Sequence, residues 1–222
     1  MPVSNTTYKE VKSSVNTIDL HGALKISDNG RFIVHDDGEP FFWLADTAWE
    51  LFHKLNREDS EYYLDQRVRN GFTVIQAVVL AELDGLRTPN AYGDLPLNQL
   101  DPTSPNENYF RHVDWVIQKA AEKGLCIALL PTWGDKLNRK YDWAQGPEIF
   151  DTQNAFQYGR YLGQRYEKEK NLIWILGGDR DPAEREIAIW RRLATGIGEG
   201  LGKGIKPLIS FHPQPFDGGS SS

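Results

Sequence analysis

Carboxylates and tryptophans recur along this 222-residue chain, each time just after a short apolar run. The run 41–45 is followed by Asp46, Thr47 and Trp49. The run 72–80 carries Gln76 and is followed by Glu82 and Asp84, and the run 125–130 by Pro131-Thr132-Trp133-Gly134-Asp135-Lys136. The run 171–176 leads into Gly177-Gly178-Asp179-Arg180-Asp181, and 207–211 into His212. In parallel β/α folds, working side chains stand where strands end at their C-terminal edge. Carboxylates there can exchange a proton with an acetal oxygen, and flat indoles match the C–H face of a sugar ring. The candidate site residues are therefore Asp179, Asp46, Trp49, Gln76, Trp133 and His212, in a cleft for an oligosaccharide or polysaccharide.

Each of these residues also has a plainer reading. Asp46 is a good cap for the turn that follows it. Trp43, Trp115, Trp174 and Trp190 lie inside strand or helix patterns and read as core, whereas Trp49, Trp133 and Trp143 follow strand ends. His21, His53 and His112 read as surface or helix residues. No H-x-x-H or H-E-x-x-H spacing occurs, so neither a catalytic metal nor a cofactor is expected. Asp179 stands out, because two glycines at a strand end let the backbone bend and aim the next side chain. Asp181, immediately before Pro182, is better placed to cap the following helix, which leaves Asp179 available.

Strand-length apolar runs alternate with amphipathic stretches at 57–70, 108–123, 152–168 and 182–195, the pattern of a parallel sheet covered by helices. Gly71 and Gly124 mark two helix ends. Ahead of the first unit, segments 24–27 and 31–35 flank Asp28-Asn29-Gly30 and read as a β-hairpin of the sort that plugs the closed end of a barrel. The strand markers Trp43, Thr73, Cys126, Ile173 and Leu208 are 30 to 53 residues apart. The fold class expected is α/β, a (β/α)8 TIM-barrel type with five units present, comprising a polar leader (1–23) and a partial barrel (24–222). An open doubly wound sheet is the alternative. Against it, Asp46-Thr47-Ala48-Trp49 replaces the Gly-rich phosphate turn such folds carry.

Composition narrows the partners. With 25 Lys and Arg against 31 Asp and Glu, the formal charge is −6, which excludes a nucleic-acid binder of the basic type. A 40% hydrophobic, 12% aromatic chain collapses into a core. The lone thiol, Cys126, lies in an apolar strand and reads as a small buried hydrophobe. The first 20 residues contain no apolar stretch of signal-peptide type and no window reads as a membrane span. A cytoplasmic location is the default expectation, with secretion or a periplasmic address if the N-terminus is processed.

The segments Phe41-Phe42-Trp43-Leu44-Ala45-Asp46-Thr47-Ala48-Trp49, Leu130-Pro131-Thr132-Trp133-Gly134, Ile173-Trp174-Ile175-Leu176-Gly177-Gly178-Asp179 and His212-Pro213 together resemble successive strand ends of the apiosidase-like catalytic domain, glycoside hydrolase family 140 and its relatives. The resemblance runs from about Leu24 to the last residue. It implies a (β/α)8 barrel that hydrolyses glycosides of plant cell walls, apiose linked to galacturonic acid in pectin for the characterised type. It also implies that Asp179 is the general acid/base, a role requiring a raised pKa that burial beside Trp133 or Trp174 could supply. The family's nucleophile comes from a seventh strand, for which this sequence has no counterpart, and Glu82, Asp84 and Asp135 do not match that position.

Three expectations follow. The chain is part of a glycoside hydrolase catalytic domain; or it is a carbohydrate-binding protein that kept the aromatic cleft without the nucleophile; or it is a half-barrel that pairs with another chain, with a homo-oligomer expected if 222 residues are all there is. Five parallel strands leave an open edge and an uncovered apolar face in the third case.

Overall fold

The computed structural model describes residues 17–139 and 146–214; Trp143 and the Gly- and Ser-rich end lie outside them. Helix α1 (Thr17–His21) leads into β1 (Leu24–Ile26) and β2 (Ile33–His35), antiparallel with Leu24 opposite His35 and Ile26 opposite Ile33. Their turn closes at Gly30, whose N–H donates to the Ser27 carbonyl at 2.8 Å, while Asn29 Oδ1 accepts from the Arg31 N–H. The hairpin expected from Asp28-Asn29-Gly30 is present.

Five parallel strands follow: β3 (Ala45–Thr47), β4 (Val74–Leu80), β5 (Cys126–Thr132), β6 (Leu172–Gly177) and β7 (Ile209–His212). They lie side by side in chain order, with registers such as Asp46↔Ile75, Ala77↔Leu129, Ala128↔Ile173 and Gly177↔His212. A doubly wound sheet would reverse strand order partway across, so this order excludes it. Helices α2 (Leu51–Lys54) and α3 (Arg57–Arg69), α4 (Glu107–Glu122), α5 (Thr152–Arg165) and α6 (Glu184–Gly200) make the crossovers. The architecture is five strands of a (β/α)8-type barrel with a hairpin before them.

Alternation along each strand divides the core in two. Ile75, Ala77 and Val79 of β4, Ile127 and Leu129 of β5 and Trp174 and Leu176 of β6 face the helices and pack with Val113, Ile117, Leu162, Leu193 and Ile197. Val74, Val78, Cys126, Ala128, Leu130, Ile173 and Ile175 face the concave side, covered by Ile18, Leu24, Phe41, Trp43, Trp49 and Trp133. Cys126 is thus the buried hydrophobe expected, and burial pushes its thiol up to about 12. Ile18 of α1 and Leu24 of the hairpin pack against this inner cluster.

Three boundaries differ from the sequence reading. The apolar run 41–45 is not a strand throughout: only Ala45–Thr47 pairs, and Phe42 is 72% exposed. An edge strand has a neighbour on one side only, and here the Leu44 N–H takes the Thr73 hydroxyl instead of a ladder partner. Helix α6 runs five residues beyond the expected Thr195, through Gly196, Gly198 and Gly200, because α5 packs against it backbone to backbone. The residue at its N-cap is Ala183, with no side-chain bond, and not Asp181. By contrast, Asp151 caps α5 with a full capping box, and Asn56 and Asn106 cap α3 and α4. Beyond β7, Leu176, Ile187, Trp190, Phe211 and Pro213 line an apolar depression of about 380 Å³.

Candidate active site

Strand β6 ends in three successive residues with left-handed backbone: Gly177 at φ 98°, Gly178 at 112° and Asp179 at 51°. Both glycines are required by space as well as conformation. A Cβ on Gly177 would stand 2.3 Å from the His212 carbonyl oxygen, and one on Gly178 would stand 2.8 Å from the Trp133 indole. The Gly178 N–H also donates to the His212 carbonyl at 3.0 Å, which welds the ends of β6 and β7 together. The left-handed region is uncommon for non-glycine residues but tolerated best by Asn and Asp. The turn therefore throws the Asp179 side chain sideways toward β7.

There His212 Nε2 lies 3.0 Å from Asp179 Oδ1. The carboxylate is 37% exposed and the imidazole 31%, so both reach solvent on one side while being held on the other. The His212 ring is 5.5 Å from that of Trp49 and 5.9 Å from that of Trp133, and the two indoles are 5.2 Å apart. Trp133 is buried, and its Nε1–H has no partner among the described residues. Four strand ends thus converge: the loop after β3 gives Trp49, that after β5 gives Trp133, and the ends of β6 and β7 give Asp179 and His212.

Gln76 occupies the concave side between Val74 and Val78, opposite Thr47 across β3–β4 and half-buried. Asp46 is placed differently. It points to the helical layer, where it accepts from the Tyr63 hydroxyl at 2.7 Å and pairs with Arg67 of α3. Burial first, then the bond to Asp46, pushes Tyr63 up to about 12, so the phenol stays a donor. The structure therefore gathers Asp179, Trp49, Trp133 and His212, with Gln76 on the same face of the sheet, and leaves Asp46 on the opposite side. Trp174 also faces the helices, beside Tyr166, so of the two indoles expected near Asp179 only Trp133 is there.

Four acidic residues sit on successive strand ends around this cleft. The Glu82 carboxyl is held above the ordinary range by burial, then by the charges of Glu50, Asp135 and Asp179, with Lys136 opposing. Glu50 is raised as well, again by burial first. Lys136 is fully buried and its Nζ donates to Asp135 Oδ2 at 3.0 Å. Glu50 and its part in this field were missed in the sequence, although its place directly after Trp49 was a signal. Asp84 turns to Arg87 instead. His53 and His112, expected at the surface or on helices, are on helices and buried. No group of three or more His, Cys, Asp or Glu side chains suited to a metal ion occurs among the described residues.

Comparison with known proteins agrees with this architecture. The family model described as "Apiosidase-like, catalytic domain" matches residues 27–222, and the chain belongs to that family. A solved structure titled "Glycoside hydrolase" is 33% identical over 91% of this chain, with a TM-score of 0.76. A glycoside hydrolase family 5 protein from Bacteroides vulgatus is 30% identical over 91% of this chain, with a TM-score of 0.77. The chain spans 43% and 42% of the lengths of these two proteins. No curated protein matches it.

Proposed function

We propose that this half-barrel carries the acid/base side of a glycoside hydrolase site, acting on plant cell-wall or pectic glycosides of the apiosidase type. The observation that carries the reading is Asp179 itself. It is lifted from the end of β6 by two obligatory glycines, tied to His212 and set beside the Trp49–Trp133 pair. In the mechanism, Asp179 gives a proton to the glycosidic oxygen as the C–O bond breaks, and the bond's electron pair leaves on that oxygen. In a retaining mechanism the anomeric carbon bonds to the second carboxylate as that bond breaks, and in the return step Asp179 takes a proton from the water that displaces this carboxylate. The indoles and Gln76 hold the sugar against the concave face. The second carboxylate comes, in this proposal, from outside the five strands, by analogy with the family's seventh-strand nucleophile.

Asp179→Asn tests this in the polypeptide as its gene encodes it. Hydrolysis of an apiosyl–galacturonate linkage should fall by about 10²- to 10⁴-fold, the usual share of a general acid. An aryl glycoside with an acidic leaving group needs little protonation and should lose far less in the bond-breaking step. Full activity on both substrates would refute the assignment.

A further inference from the structure

His212 does more than line the cleft. We propose that it is a positioning residue that selects which oxygen of Asp179 carries the transferable proton, an inference that rests on Asp179 being the acid/base. A carboxylic acid has one hydroxyl oxygen and one carbonyl-type oxygen, and an N–H donor is best received by the second. His212 Nε2 sits 3.0 Å from Oδ1. If Nε2 bears hydrogen, Oδ1 is the acceptor and the acid proton stands on Oδ2, the oxygen left for substrate.

The surroundings fix the imidazole well enough for this. The His212 backbone is locked at the end of β7 by its register with Gly177 and by the bond from the Gly178 N–H to its carbonyl. Its ring is flanked by Trp49 and Trp133 at 5.5 and 5.9 Å. Asp179 is held from its own backbone by the left-handed turn. Acid and imidazole are therefore attached to adjacent strand ends with little freedom to rotate apart. A preset oxygen matters, because misplacing a catalytic group by about 1 Å can cost on the order of 10²-fold in rate. Backbone of the same two strand ends does the holding, so the pairing exists before any sugar arrives.

Two measurements test the proposal. In the 222-residue chain labelled with 15N-histidine, with His212 assigned through His212→Gln, the neutral imidazole should carry its proton on Nε2. That Nε2–H should be slow to exchange and should shift and lose protection in Asp179→Ala. A proton on Nδ1, or an Nε2–H indifferent to Asp179→Ala, overturns the pairing. In the polypeptide as encoded, His212→Ala should lower kcat/KM on a natural linkage by about 10²-fold, the cost of a misplaced acid. It should change an activated aryl glycoside little, and His212→Gln, which keeps a donor, should recover part of the loss. Equal losses on both substrates, or no loss on either, would leave only a structural part for His212 and overturn the proposal. If Asp179→Asn itself lacks the leaving-group split, the acid/base reading is what fails, and the NMR result still reports on the pairing.

Discussion

Helices α5 and α6 meet through glycines, and the cost of filling that contact can be worked out. An alanine Cβ at Gly159 would stand 2.3 Å from the Leu193 carbonyl oxygen and 3.1 Å from the Ile197 nitrogen. At Gly163, Gly196 and Gly200 the nearest backbone oxygens would be at 2.3, 2.2 and 2.3 Å. Ordinary contact begins near 3.4 Å, and the atoms met are backbone, which cannot rotate away. Relief requires the two helices to part by about 1 Å, which loosens the close packing around Leu162, Leu193 and Ile197. Overpacking of this kind costs about 1–3 kcal/mol. Alanine recovers about 1 kcal/mol over glycine in a helix interior, so Gly159→Ala should lose up to about 2 kcal/mol net. Gly198 lies in the same helix with nothing within 4 Å of its Cβ direction. There the propensity gain stands alone, and Gly198→Ala should stabilise by about 1 kcal/mol. Urea unfolding with unchanged m-values reads both, and the corresponding melting shifts are about 2–4 °C per kcal/mol in a chain of this size. If both substitutions stabilise, or both destabilise, the backbone contact is not what sets the response.

Two further outcomes concern pH. Burial lowers the pKa of His112 and His53 below the ordinary 6.5, so the unfolded chain takes up the proton first. Stability is then full above about 6.5 and is lost as pH falls through the lowered folded values, and His112→Gln should flatten that loss between pH 7 and 5 in urea titrations. For Glu82, raised mainly by burial, the sign reverses: the contribution is full below the ordinary 4.5 and is lost as pH climbs through the raised value. Glu82→Gln should match the wild type near pH 4 and exceed it in stability at pH 7; a constant difference at both pH values would contradict this.

Much of the frame was legible because it rests on local rules. Alternation and length gave the strands, Gly71 and Gly124 gave helix ends, and Asp28-Asn29-Gly30 gave the hairpin. What escaped depends on neighbours far along the chain. Gly196, Gly198 and Gly200 look like a loop until α5 is laid against the first and the last of them. Asp46 follows an apolar run as Asp179 does, yet strand parity sends it to Tyr63 and Arg67, and a strand only three residues long, Ala45–Thr47, is too short to reveal its phase in sequence. The raised pKa values of Glu82 and Glu50 arise first from burial, and for Glu82 also from the charges of Glu50, Asp135 and Asp179, and no single window contains these neighbours. Asp179 was readable because its signal, two glycines before a carboxylate, is contiguous.

The monotonic strand order bears on how the molecule comes into being. Every parallel strand after β3 pairs back onto one made earlier, 30 to 53 residues upstream by the spacing of Trp43, Thr73, Cys126, Ile173 and Leu208. No strand among the described residues from β4 onward has to wait for a later one in order to find a first neighbour. Emerging from the ribosome at about 5–20 residues per second, each β/α unit can settle on the unit synthesised a few seconds before it. The polypeptide can thus be laid down like courses of brick, with the aromatic cleft appearing only when the course bearing His212 reaches Asp179.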